Sequence, residues 1–281
     1  MIVRKKIPSD VNFPFILIDQ DTKKPEQELP SHLHDWHELI YIHKGKGEFY
    51  IHNRSFKVMS GDFVIIPQNT VHFSNPDATE LITSTIIYFD PHLLEYPQCI
   101  DKPTCLNMLN NQVDFIYTIS PEQALTFEHI LHQIKEEMTL KKIDYKMAIT
   151  LLLHMLLLSI YRHTIPTKGH VDTSPVPWLN ESINHISSHF QSSLSLTFLA
   201  KQASVSPPHY SREFKRQMGV NVKEFIITKR ISYVKKELRE SHDTVETIAK
   251  KAGFQSMPYF FRTFNKYTGT TPNSFRKRTS L

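Results

Sequence analysis

Cysteine is nearly absent from this chain: Cys99 and Cys105 are the two thiols among 281 residues. Two are too few for a disulfide framework, which excludes a cross-linked secreted scaffold and predicts free thiols in a reducing cytoplasm. A long apolar run is missing too. The greasiest stretch, ITLLLHMLLLSI from Ile149 to Ile160, is short for a bilayer span and carries His154. It predicts a buried helix or an interface between copies. No apolar segment follows the basic cluster of MIVRKKIPSD, so no secretory signal is expected. What remains is an ordinary soluble composition, 22% charged and 40% hydrophobic, with enough chain for two cores.

The formal net charge of +5 conceals a split. From Trp178 to Leu281 there are 17 Lys and Arg against 7 Asp and Glu, a surplus of +10; the residues before Trp178 carry the difference, −5. An acidic part joined to a strongly basic part predicts that only the second meets a polyanion.

Residues 11–90 alternate apolar and polar positions in short runs. ELIYIHKGKGEFYIHNRSFKVMSGDFVIIP reads as strands at Leu39–His43, Glu48–His52, Phe56–Met59 and Asp62–Ile66, and LITSTIIYFD adds a β-branched strand at 81–90. Such spacing predicts an antiparallel barrel or sandwich. After Pro121 the period changes. PEQALTFEHILHQIKEEMTLKK and DYKMAITLLLHMLLLSIYRH carry apolar residues three and four apart, which predicts two successive helices. The second is too apolar for a lone surface helix, so it should pack on its neighbour and on another chain. TIPTKGHVDTSPVP, 164–177, reads as a linker where the charge changes sign.

The basic part repeats itself. LAKQASVSPPHYSREFKRQMG (199–219) lies over IAKKAGFQSMPYFFRTFNKYTG (248–269), matching Ala200 with Ala249, Arg212 with Arg262, Phe214 with Phe264 and Gly219 with Gly269. Each copy reads as helix, tight turn, helix. Ser206 before Pro207 is a good cap; either the box Asp243–Glu246 or Thr244 alone starts copy two; Gly253, Gly219 and Gly269 stop helices. Leu199, Ala200, Phe214, Ile248, Ala249 and Phe264 are expected in the core. In a basic context this arrangement sets its second helix in a DNA major groove. The residues near that helix start are then the DNA-contacting set: Ser206, Pro208, His209, Ser211 and Arg212 in copy one, Ser256, Tyr259, Phe261 and Arg262 in copy two. Arg212 and Arg262 suit bidentate reading of guanine, or otherwise a phosphate. NVKEFIITKRISYVKKEL (221–238) predicts a helix of roughly 27 Å between the copies, a reasonable spacer for two heads reading grooves about 34 Å apart.

The stretch from Gly253 to Lys266, followed by TGTTPNSFRKR, resembles the signature of AraC/XylS-type transcription regulators over about a hundred residues. The resemblance implies promoter DNA as partner, transcriptional control, a homodimer and a cytoplasmic location, with RNA polymerase as a further partner of an activator. Pro258 departs from the small polar residue common there, and Phe261 places an apolar ring on the expected DNA face.

One motif remains. HLHDWHE, residues 32–38, packs three histidines and two carboxylates into seven positions. With Gly45, Gly61, Pro67 and His72 it is similar to the paired motifs of cupin barrels, in whose metal-binding members the positions of His32, His34, Glu38 and His72 meet at one ion. Asn69 departs from the usual glycine. Three imidazoles and a carboxylate suit a transition metal; buried histidines also serve as satisfied hydrogen-bonding groups. The preferred expectation is no metal, no cofactor and no catalysis. His32, His34, Trp36, Glu38 and His72 would instead line a small-molecule pocket, suited to a sugar by aromatic stacking and directed hydrogen bonds. A metal-dependent enzyme tethered to nucleic acid and a metal-ion sensor are the alternatives.

The expected fold class is therefore α+β: a cupin-like antiparallel β-barrel for ligand sensing at 1–120, a helical dimerisation pair at 121–163, a linker at 164–177 and an all-α double helix-turn-helix domain at 178–281. The expected function is a ligand-responsive DNA-binding regulator, an activator of carbohydrate-related genes, with no membrane partner.

Overall fold

A computed structural model describes residues 3–5, 13–22, 29–52, 54–94, 105–106, 109, 114–167 and 177–279. The chain divides into two compact units, Met1–Thr173 and Ser174–Leu281. Cys105 is a buried free thiol; Cys99 lies outside the described residues.

The N-terminal unit is built on two sheets. The strands are β1 (Val3–Arg4), β2 (Phe15–Thr22), β3 (His32–Leu33), β4 (His37–Lys44), β5 (Lys46–Ile51), β6 (Arg54–Met59), β7 (Asp62–Ile66), β8 (His72–Pro76), β9 (Thr83–Phe89), β10 (Ile116–Ile119) and β11 (Thr164–Thr167). One sheet runs β1-β3-β8-β5-β6 and the other β11-β10-β7-β4-β9-β2. All recorded pairings are antiparallel except β1 with β3. This corrects the expected barrel: among the described residues the strands form two separate sheets and no closed ring.

Period-two alternation decides which way each side chain faces. Ile40 and Ile42 of β4, Val64 and Ile66 of β7, and Ile86 and Tyr88 of β9 join the apolar cluster that includes Phe49, Phe56 and Val58 of the other sheet. Their neighbours Leu39, Tyr41, Phe63, Ile65, Ile87 and Phe89 form a second cluster with two helices, α1 (Pro121–Leu140) and α2 (Tyr145–His163). The six-stranded sheet is thus buried on both faces. Ile149, Leu153, Leu156, Leu157 and Ile160 are the fully buried side of α2, each worth about 1.5–3 kcal/mol of apolar burial. The apolar run at 149–160 sits in a helix of 19 residues, long and apolar enough by length and composition alone to cross a membrane. Here its buried side belongs to the sheet's core.

The linker expected at 164–177 begins as β11, paired antiparallel with β10 from Ile116↔Thr167 to Ile119↔Thr164. β11 is an edge strand of its sheet, where a proline such as Pro166 is tolerated. Residues 168–176 lie outside the described residues, and Pro177 already starts a helix.

The C-terminal unit is helical: α3 (Pro177–His189), α4 (Leu196–Gln202), α5 (Pro207–Met218), α6 (Val222–Glu240), α7 (Val245–Lys251), α8 (Met257–Thr268) and α9 (Pro272–Thr279). Ser206, Thr244 and Ser256 each cap a helix by accepting a backbone N–H from the residue three ahead, so Thr244 is the cap of copy two. Gly219 and Gly269 end α5 and α8. Leu199, Ala200, Phe214, Ile248, Ala249 and Phe264 are fully buried, as their spacing predicts.

The long helix α6 ties the copies together through Arg230. Its Nε donates to the Phe190 carbonyl at 2.7 Å and its Nη2 to the Ser192 carbonyl at 2.8 Å, while the guanidinium lies 5.8 Å from the Phe254 ring. One side chain thereby joins the loop before α4 to the turn between α7 and α8. Gly253 in that turn has φ +88°, and a Cβ there would stand 2.3 Å from the Gln191 carbonyl oxygen. Ser204, its counterpart in copy one, takes the same left-handed conformation at φ 55°. Gly253→Ala should therefore destabilise the C-terminal unit by more than about 1 kcal/mol, whereas Ser204→Ala should change it by less than that. Urea unfolding of both variants tests this, and an unchanged midpoint for the glycine variant would refute the close-packing argument.

Candidate functional site

The four ligand-competent residues of the sequence motif converge between the two sheets of the N-terminal unit. Strand pairing sets His32 of β3 opposite His72 of β8, and Glu38 enters from β4 in register with Ile66 and Tyr88. All four are buried. Asn69 supports this meeting: at φ 61° it adopts the left-handed conformation that asparagine tolerates, and its N–H donates to the His34 carbonyl at 2.6 Å. The departure from glycine leaves the turn intact.

The hydrogen bonds behind the histidines fix their tautomers. Nδ1 of His32 lies 3.0 Å from the Pro30 carbonyl, Nδ1 of His34 2.9 Å from that of Trp36, and Nδ1 of His72 2.9 Å from that of Thr70. A carbonyl only accepts, so each Nδ1 carries the hydrogen and each Nε2 is left for the interior. His34 Nε2 meets Glu38 Oε2 at 2.9 Å; His72 Nε2 approaches the same oxygen at 3.1 Å without hydrogen-bond alignment and has no hydrogen-bond partner. One ring nitrogen from each of the three histidines falls within 4.8 Å of the others. Burial alone would raise the Glu38 carboxyl, but the hydrogen bond to His34 and the charges of His72 and His34 beside it outweigh burial and hold the group well below the usual carboxylate range. His32 is lowered to about 4 by burial and by His72 beside it.

Such a cluster has two chemical uses. Protons on Nε2 let imidazoles grip the carboxylate, or the Nε2 atoms and Glu38 together hold a cation. The donor set and the orphaned His72 Nε2 fit a transition metal.

Beside the quartet lies a cavity of about 50 Å3. Lys5, Asp21, His32, Glu38, His72 and Tyr88 form its polar side, with Ser74 and Ser84; Leu29, Ile40, Phe49, Pro76, Ile82 and Ile86 form the rest. Two of the sequence-selected residues do not line it. His34 stands behind Glu38, its ring 5.4 Å from Tyr88 and edge-on. Trp36, in the bend between β3 and β4, is packed into the apolar cluster between the sheets. Tyr88 supplies the aromatic wall instead, and Lys5 donates to its hydroxyl at 3.0 Å. Sequence reading missed both, since Tyr88 on β9 and Lys5 just after β1 lie far from the motif along the chain. Only pairing brings them in.

In the C-terminal unit, Ser206 and Ser256 serve as helix caps. Pro208, His209 and Arg212 of α5 and Pro258, Phe261 and Arg262 of α8 are exposed, and Ser211 and Tyr259 are half-buried. Phe261 keeps 43% of its surface in solvent although an apolar core lies directly beneath it. A groove of about 360 Å3 opens next to α8, lined by Lys223, Tyr259, Arg262 and Lys266 among others.

A two-sheet domain with an internal polar cavity, followed by a doubled helix-turn-helix, defines the class as that of one-chain regulators with a pocket. The profile of an AraC-like ligand binding domain matches residues 17–157, and that of a helix-turn-helix domain matches residues 199–278. The chain belongs to the AraC family of transcriptional regulators.

An uncharacterized HTH-type transcriptional regulator of Staphylococcus aureus (strain MSSA476) is 26% identical over 239 residues, 84% of this chain and 31% of that protein. The chain therefore spans about 31% of the length of the S. aureus relatives it matches. The HTH-type transcriptional activator RhaR of Escherichia coli O1:K1 / APEC is 23% identical over 256 residues, 90% of this chain and 88% of RhaR. Among solved structures, ToxT of Vibrio cholerae O395 is 12% identical with a TM-score of 0.43, covering 95% of this chain and 97% of that one. The DNA-binding domain of AdpA, solved with a target DNA, is 24% identical with a TM-score of 0.34, covering 35% and 89%.

Breaking a buried charge pair leaves its partner uncompensated. Glu38→Ala should lower the stability of the N-terminal unit by about 3 kcal/mol. Chemical denaturation followed by a probe in that unit measures it; a loss below about 1 kcal/mol would mean that the imidazoles do not need the carboxylate.

Proposed function

We propose that this protein is a cytoplasmic, ligand-responsive regulator that binds promoter DNA through its C-terminal unit and a small-molecule effector through the cavity of its N-terminal unit. The carrying observation is the pair of helix-turn-helix copies, each with exposed polar and basic residues at the start of its second helix. Arg212 and Arg262 read base edges in this view, with Pro208, His209, Ser211, Tyr259 and Phe261 around them and the caps Ser206 and Ser256 near phosphates. Activation of carbohydrate-related genes, with RNA polymerase as partner, is the finer reading. The relative named as an activator supports its sign, and the hydroxyl, imidazole and carboxylate groups facing Tyr88 support a polyhydroxylated effector. At about 50 Å3 the cavity is far below the roughly 300 Å3 of a typical ligand pocket. A sugar ring enters only if wall residues such as Leu29 and Lys5 give way.

A second reading rests on the tautomer argument. Three Nε2 atoms and Glu38 Oε2 face one another, with His72 Nε2 unpartnered, and a divalent ion would need no more room than the cavity has. His32, His34, Glu38 and His72 would hold it, and the ion itself would be the signal. An enzyme is not proposed; the named relatives are transcriptional regulators.

The unit is proposed to act as a homodimer through α1 and α2. Opposite its buried side, α2 exposes Met147, Leu151 and Met155 at four-residue spacing, and Ile143 before it is 94% exposed. An apolar stripe of that kind on a soluble chain marks an interaction face.

Two outcomes are expected. Selection of random duplexes by the full-length protein should yield a defined sequence, and Arg212→Ala should cost about 1–3 kcal/mol on it and relax one position. A sugar panel should contain one member that changes this binding. Selective binding indifferent to every sugar, with one equivalent of metal in protein purified without chelators or affinity histidines, would replace the sugar by the ion. Unselective binding would remove the promoter-reading claim. Separately, Leu151→Glu should convert a dimer to a monomer in sedimentation without lowering the melting temperature; a dimer that persists would place the interface elsewhere.

A further inference from the structure

The two helix-turn-helix copies are equivalent in backbone but not in charge. In copy one, Glu213 and Arg216 of α5 bond each other: Nε lies 3.1 and 3.0 Å from the two carboxylate oxygens, and Nη2 lies 2.7 Å from one of them. The pair neutralises itself. In copy two the matching residues of α8 are Thr263 and Lys266, so the cation has lost its carboxylate. Thr263 is buried and Lys266 is exposed with no ion-pair partner among the described residues.

Lys266 is not alone. It lines the groove of about 360 Å3 with Lys223 of α6 and Arg262 of α8, neither of which has an ion-pair partner among the described residues. Lys223 Nζ stands 6.0 Å from the Tyr259 ring, which forms the groove's aromatic wall. The one carboxylate there, Glu224, accepts from the Asn221 side-chain amide at 3.3 Å. Three cations around one carboxylate hold a concave surface positive, and such a surface concentrates an anion.

Which anion is settled by position. Tyr259 and Arg262 belong both to this groove and to the exposed start of α8, the proposed base-reading face. Whatever presents base edges to that face carries a phosphate backbone along its flank. We infer that the groove between the start of α6 and α8 seats a DNA backbone phosphate through Lys223 and Lys266, and that copy one has no such seat because Glu213 occupies its equivalent cation. The inference rests on the reading that the C-terminal unit binds DNA. It makes copy two the electrostatic anchor and copy one the more purely base-reading head. Phosphate contacts position a protein without carrying sequence information, so the two copies divide the labour.

The test is the salt dependence of binding by the full-length protein to the duplex it selects and to a scrambled duplex. Lys223→Gln and Lys266→Gln alter exposed side chains, and each should flatten the slope of log K against log salt by about 0.9. Affinity should fall severalfold by the same factor on both duplexes, with melting temperature unchanged. Lys266→Arg should keep the slope. Arg216→Gln, the matching change in copy one, should leave the slope as it is. Wild-type slopes in both lysine variants, or an equal change in the Arg216 variant, would overturn the phosphate seat while leaving DNA binding in place. Wild-type protein without salt-sensitive DNA binding would remove both.

Discussion

The six-stranded sheet is buried on both faces, and most of the N-terminal unit follows from that constraint. A strand covered on both sides cannot alternate apolar with polar; it must alternate between two different interiors. On β4, Glu38, Ile40 and Ile42 face the other sheet and the cavity, while His37, Leu39 and Tyr41 face the helix side. On β9, Ser84, Ile86 and Tyr88 line the cavity, while Ile87 and Phe89 pack towards α1 and α2. Thr85, between them, accepts from or donates to His43, Asp19 and the Gln20 amide, and Asp19 holds Lys135 of α1 at 2.7 Å. Neighbouring residues on one strand thus line the proposed effector cavity and pack towards the proposed dimer helices. In a regulator this is an economical route for a ligand to be felt outside its pocket, since close-packed interiors transmit strain rather than absorb it.

The quartet inside that sandwich is a polar centre held within apolar packing. Backbone carbonyls hold three imidazoles by Nδ1, and one carboxylate bonds His34 Nε2 and lies 3.1 Å from His72 Nε2, which makes no hydrogen bond. The energetic consequence is a site that resists being half-occupied: removing one member strands the others in a low-dielectric interior. The same geometry explains why histidines, rather than amides, stand there. Imidazole offers a fixed donor on one side and a nitrogen that can carry or release a proton on the other.

In the C-terminal unit the organising element is α6, whose Arg230 joins the loop before the first helix of copy one to the turn before the second helix of copy two. Sequence repetition gives both copies the same caps, turn and core, yet each differs where it meets solvent. Gly253 is forced by the Gln191 carbonyl in copy two, whereas Ser204 suffices in copy one. Glu213 quenches a cation in copy one, and Thr263 releases its counterpart in copy two. Equal folds therefore carry unequal surfaces.

Much of this architecture was legible in the sequence. Helix and strand periods, capping residues and the internal repeat are local properties, and Ser206, Thr244, Ser256, Gly219 and Gly269 do locally what their chemistry implies. The convergence of His32, His34, Glu38 and His72 was expected from the resemblance of their spacing to the cupin motifs, while the pairing of β3 with β8 that sets His32 opposite His72 came from the structure. The rest depends on pairing between distant strands. Whether the sheets close into a barrel is a matter of edges, which no single strand's sequence encodes. Tyr88 reached the wall because the register of β9 on β4 sets it opposite Glu38, and Lys5 and Trp36, just outside β1 and β4, took their places from the packing of those strands. The start of strand β11 within a proline-bearing linker required β10 to pair with. Lys223 met Lys266 only once α6 crossed α8. Sequence by itself determined the main strands and helices, most of their caps and the family to which they belong. Tertiary structure decided which side chains share a space, since proximity between residues far apart in the chain is created by packing and not by any local preference.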